Sequence, residues 1–171
     1  MFHKYIKLVI AFAVVVWAIF QFIDGNILNG ITLILFAGII VFFYYKNEFI
    51  LLAFFKLRKQ DFVGAKKWLA YIKNPENALI KKQQGYFYFL HGLMVSQTNL
   101  TESEKLFKKA LGLGLSMNHD IAMAKLNLAG IALTKRRKRE ATELLSDAKK
   151  FDKHNMLSDQ IKMMKQQLKK I

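Results

Sequence analysis

Two long stretches without charge constrain this chain more than any other feature. Leu8 to Ile23 reads LVIAFAVVVWAIFQFI, and Gly25 to Tyr45 contains ITLILFAGIIVFFYY. Each approaches the roughly 20 residues a helix needs to cross about 30 Å of hydrocarbon. The pattern predicts two transmembrane helices, spanning about 6–23 and 27–45, joined by a turn built on Asp24, Gly25 and Asn26. A cleavable signal sequence would share the basic start, but the apolar core is too long for one. No small-x-small site precedes Asp24, and a second span follows at once.

Lysine and arginine beside the spans set the orientation. Lys4 and Lys7 precede the first, Lys46, Lys56, Arg58 and Lys59 follow the second, and the connecting turn has none. The expectation is an integral membrane protein with both termini in the cytoplasm and Tyr44 and Tyr45 at the interface. No Asp, Glu, Arg or His lies within either span, so an ion or proton pathway has nothing to run on. Gln21 and Thr32 are read as making helix–helix hydrogen bonds.

Beyond Tyr45 the charge rises. The whole chain carries 27 Lys and Arg against 12 Asp and Glu, a net of +15, nearly all of it in residues 46–171. That balance favours an anionic partner without dictating a fold. There is no cysteine, which excludes a disulfide framework, a cysteine metal site and a thiol nucleophile.

Residues 46–171 repeat. Ala65, Ser103 and Ala141 are 38 apart, as are Leu69, Phe107 and Leu145, and Ile72, Ala110 and Ala148. Small, large, small at spacings of four and three occupies one helix face, and the small members admit a neighbouring helix closely. About twelve residues earlier lie Ala53, His91-Gly92 and Ala129, on three further apolar helical segments. The repeating unit is a pair of antiparallel helices, found three times at about 46–83, 84–121 and 122–159. Thr101 with Glu104 reads as a capping box opening the second helix of the middle unit. At the end, Leu157, Ile161, Met164, Leu168 and Ile171 form one apolar stripe, the signature of a capping helix at about 156–171.

These columns resemble the tetratricopeptide repeat (TPR) family. The first unit offers Phe49, Leu52, Ala53, Ala65, Leu69 and Ile72, with Pro75 near the expected terminal proline. The second offers Tyr88, Gly92, Val95, Ser103, Phe107, Ala110 and Leu111; the third, Leu128, Ala129, Ala132, Ala141, Leu145 and Ala148. The period is 38 where the family has about 34, and Lys56 and Lys125 stand at positions usually apolar. The resemblance implies an all-α fold: two transmembrane helices, residues 1–45, followed by a TPR-like α-solenoid of about three helix pairs with its capping helix. It further implies a non-catalytic scaffold or assembly adaptor that binds a protein partner in a groove lined by first-helix residues. Here those are Ile50, Phe54, Tyr86, Phe89, Leu93, Met123 and Leu126, together with Gly130, an apolar and aromatic set. The groove is open to a partner, or filled by the hairpin or the C-terminal helix.

Catalytic patterns are absent. His3, His91, His119 and His154 are scattered without metal-ligand spacing, Gly112-x-Gly114 lacks the lysine of a phosphate loop, and no nucleophile motif appears. Neither enzyme nor cofactor is expected. The sharpest local feature is Lys135-Arg136-Arg137-Lys138-Arg139, in the turn within the third unit. It is read as a solvated turn or a contact for anionic lipid headgroups, with nucleic acid a weaker alternative. The rival functions are a charge-driven lipid or nucleic-acid binder and an accessory subunit of a membrane complex, with the hairpin as the binding element.

Overall fold

The apolar runs and the 38-residue columns both become helices. The computed structural model describes residues 5–170, so His3, Lys4 and Ile171, which entered the readings above, lie outside the described residues. Ten α-helices and no strand occur among the described residues. They fall into two compact units, 1–83 and 84–171. The division therefore lies between the first and second expected repeats, and the hairpin shares a unit with the first helix pair.

In the first unit, α1 (Ile6–Ile23) and α2 (Ile27–Tyr45) form the expected hairpin. Gly25 takes φ +78° at the turn, where Asn26 N–H reaches Gln21 O and Gly25 N–H reaches Phe22 O. This is a left-handed helix stop, a conformation glycine adopts without Cβ strain. The buried residues are small and seven apart, Ala11 and Ala18 on α1 and Gly30 and Ala37 on α2. Small residues at that spacing let two helices approach closely along one seam. A Cβ at Gly30 would sit 2.7 Å from the Phe22 ring. Only 11% of each span is buried, at mean hydropathies of 2.5 and 2.3. Both helices are long and apolar enough to cross a membrane.

The polar residues of the spans depart from expectation. Thr32 Oγ1 donates to Leu28 O of its own helix at 2.9 Å, and Gln21 Oε1 is buried without a hydrogen-bond partner. Neither joins the two helices.

The pair α3 (Glu48–Arg58) and α4 (Phe62–Ala70) follows after two residues. Asn47 caps α3 by accepting from Phe49 N and Ile50 N, and Asp61 caps α4 by accepting from Gly64 N. Ile50, Ala53, Ala65, Leu69 and Ile72 are buried. Phe49 stacks on Tyr71 with ring centroids 5.4 Å apart. Lys56, in the last turn of α3, reaches the Asp61 carboxylate at 2.9 Å. A single turn, α5 (Pro75–Ala78), fills what the sequence presents as a plain connection.

The second unit begins within α6 (Lys81–Val95) and contains α7 (Leu100–Leu113), α8 (Asn118–Thr134), α9 (Lys138–Phe151) and α10 (Ser158–Leu168). Helix α8 is buried on several faces and contacts α7, α9 and α10. Ser103 Oγ donates to Gly92 O at 3.0 Å, and a Cβ at Gly92 would meet the Phe107 ring at 3.0 Å. The small residues thus bring α6 and α7 into near backbone contact. The middle helix start is corrected: Asn99, not Thr101, is the N-cap, with Oδ1 accepting from Glu102 N at 3.0 Å. Glu104 is left free for other partners.

The nine residues of the three 38-residue columns are all buried. The same register recurs in the caps, since Asp61, Asn99 and Arg137 precede α4, α7 and α9. Gln60 and Arg136, two periods apart, both adopt positive φ, 59° and 55°, in matching helix stops.

Candidate partner-binding surfaces

Of the expected groove residues, Ile50 and Phe54 belong to the first unit and the other six to the second. Ile50, Phe89 and Leu126 are buried, whereas Phe54, Tyr86, Leu93 and Met123 are half-buried. Phe89 packs on Phe107 with ring centroids 6.0 Å apart. Leu126 joins Ala122, Ala129, Leu145 and Ala148 in a core that also takes Leu157 and Ile161, with Met123 and Met164 at its edge. Met164 lies against Gly130, whose added Cβ would stand 3.4 Å from its methyl group. The chain's own C-terminal helix therefore covers α8 at Leu126 and Gly130. First-helix residues point inward here because α8 has neighbours on several sides, which a one-face periodicity does not reveal.

Tyr86 is a staple rather than a groove wall. Its hydroxyl donates to Asp120 Oδ2 at 2.8 Å and accepts from Ser116 N and Met117 N, both at 3.3 Å. Burial, then the Asp120 carboxylate, pushes its ionisation up to about 12. The buried Asp120 was missed because a lone acid in the first turn of a helix reads as an ordinary N-terminal charge.

The basic turn is largely satisfied from within. Arg137 grips Glu104, Nη1 to Oε1 at 2.9 Å and Nη2 to Oε2 at 2.7 Å, and reaches Glu140 at 2.8 Å. Lys135 reaches Glu104 at 2.9 Å and Arg139 reaches Glu143 at 3.3 Å. Lys108 also holds Glu104, at 2.7 Å. Arg137, foremost among these cations, holds the Glu104 carboxyl well below the usual carboxylate range. Arg136 and Lys138 are exposed and form no ion pair among the described residues.

A further group of uncompensated cations lines a cleft. Lys149, Lys162, Lys165 and Lys169 line a cleft of about 540 Å³ beside α9 and α10, with Asn155, Ser158 and Gln166. None of the four makes an ion pair among the described residues, and the one lining acid, Asp152, is buried accepting from Met156 N and Leu157 N. The sequence carried this signal as lysines outside the terminal apolar stripe, where they look like a solvated face. Among the described residues no group of three metal-ligating side chains converges. No protein-family model matches the chain, and neither a curated protein nor a solved structure matches it.

Proposed function

We propose that this chain is an integral membrane protein whose hairpin crosses the bilayer with both termini in the cytoplasm. It carries a TPR-like array of three helix pairs with a capping helix, and it acts as a non-catalytic scaffold holding a protein partner at the membrane. The observation that carries the reading is the burial of all nine residues in the three 38-residue columns. A repeated small-large-small face, buried each time, is what a stack of helix pairs requires. The hairpin supports the anchoring half, since nearly nine-tenths of each span faces outward. Tethering a partner there raises its effective concentration without any new contact.

The test is crosslinking of the tagged protein in intact cells, then purification in detergent at low and high salt. A discrete protein that survives high salt and is lost in Phe54→Glu or Leu93→Glu, both half-buried sites, supports the scaffold. Retention of the same protein in both variants, with folding intact, removes these residues from the interface. The second reading, a charge-driven anion binder, is favoured by the cleft of four unpaired lysines. It predicts capture that falls steeply with salt.

A further inference from the structure

The first helix pair has more apolar surface than its core uses. Ile50, Ala53, Ala65, Leu69 and Ile72 supply its buried face, yet Leu52, Phe55, Phe62 and Val63 stay 40%, 56%, 44% and 82% exposed. Large apolar side chains gathered on a short segment mark a surface that meets something other than water. Cations are interleaved with them. Both acids at the helix starts are taken, Glu48 by Lys7 and Asp61 by Lys56. Arg58, Lys59, Lys66 and Lys67 then form no ion pair among the described residues. Exposed aromatics among unpaired cations are the composition of a segment lying in a headgroup layer.

Position adds a second argument. Only Lys46 and Asn47 separate α3 from the end of α2. Lys7, in the first turn of α1, donates to Phe43 O at 3.2 Å and also pairs with Glu48, while Gln83 Nε2 donates to Tyr44 O at 2.9 Å. The Lys7–Glu48 pair fastens the start of α3 to the hairpin. At about 1.5 Å per residue, Phe55 stands roughly 10 Å from that point. A bilayer crossed by the hairpin lies within that distance of this basic, apolar surface.

We propose that α3 and α4 lie against the anionic headgroups of the membrane that the hairpin crosses, inserting Phe55, Phe62 and Val63 among the lipids. The inference rests on the membrane reading of the hairpin. The natural absence of cysteine makes the test clean. Single cysteines at Val63, Leu35 and Lys153, each carrying a polarity-sensitive fluorophore, are placed in the full chain. The protein is reconstituted in phosphatidylcholine vesicles with and without phosphatidylglycerol. The expected result is a blue-shifted Val63 label, quenched by a nitroxide near the headgroup and protected from aqueous iodide, with the protection reduced when phosphatidylglycerol is omitted. Substituting Arg58, Lys59, Lys66 and Lys67 with Gln should have the same effect as omitting it. A Val63 label as open to iodide as the Lys153 label, while Leu35 is quenched from deep in the bilayer, overturns the docking and leaves the hairpin reading standing. A Leu35 label open to iodide overturns both. Val63 protection indifferent to lipid charge overturns the anionic headgroup as the ligand.

Discussion

Arg137 and Glu104 form a two-pronged ion pair, with N–O distances of 2.9 and 2.7 Å, between residues 33 apart in sequence. It ties α7 to the residue that precedes α9, and Lys108 and Lys135 complete the shell around one carboxylate. A paired fork of this kind is stronger than a single charged contact.

Glu104→Gln should therefore lower stability at neutral pH by about 1–3 kcal/mol, read as a fall in thermal midpoint of the detergent-solubilised protein. The sign of the pH dependence follows from the depressed folded-state value. The stabilisation is complete above the ordinary value of 4.5 and is lost progressively as pH falls below it. The deficit of the Gln variant should shrink in acid. A deficit equal at neutral and strongly acidic pH would show that the charge is not its origin.

Gly85 and Gly112 should respond oppositely to alanine. A Cβ at Gly85 would stand 2.5 Å from Gly114 O and 3.2 Å from Ala110 O, both backbone atoms, whereas at Gly112 it meets nothing within 4 Å. Gly85→Ala should cost about 1–3 kcal/mol through forced separation of α6 from the end of α7. Gly112→Ala, inside α7, should be neutral or stabilise by up to about 1 kcal/mol. Equal thermal midpoints for the two variants would contradict the close approach.

Arg136 holds a left-handed backbone at the stop of α8, φ 55°, and forms no ion pair among the described residues. Arg136→Gly should raise stability by a few tenths to about 1 kcal/mol, relief of Cβ strain offset partly by the freer unfolded chain. Arg136→Val should lower it, because a β-branched residue tolerates that region poorly. Denaturant midpoints of the two variants check the order.

The two basic regions should separate in a polyanion binding assay. Replacing Lys162, Lys165 and Lys169 with Gln removes cations that no carboxylate neutralises. Replacing Lys135, Arg137 and Arg139 removes cations already paired to Glu104 and Glu143. The first set should shift elution from immobilised polyphosphate to lower salt more than the second. The reverse order would return the anionic contact to the basic turn.

Much of this architecture was legible in the chain because it rests on one-dimensional periodicity. The hairpin helices have the expected bounds, 6–23 and 27–45, and the 38-residue columns mark the buried faces of α4, α7 and α9, with Ile72 just past the end of α4. Misreadings arose where two local signals compete or where partners are distant in sequence. Thr101 with Glu104 has the form of a capping box, but Asn99 with Glu102 is two residues earlier and takes the helix start. Leu126 looked like a groove residue because nothing local shows that α10 returns across α8. The basic turn looked free because Glu104 lies about 33 residues away. Charge runs show where cations are, while their compensation is set by tertiary contacts.

A hairpin that crosses the membrane, as proposed, leaves the helical pairs on the cytoplasmic side. The most direct measurement is labelling of single cysteines at Asn26 and at Lys153 by a membrane-impermeant maleimide in sealed membrane vesicles of known sidedness. In right-side-out vesicles Asn26→Cys should react at once and Lys153→Cys only after the membrane is opened, with the order reversed in inverted vesicles. Reaction of both from the same side, or extraction of the protein by alkaline carbonate, would contradict that crossing.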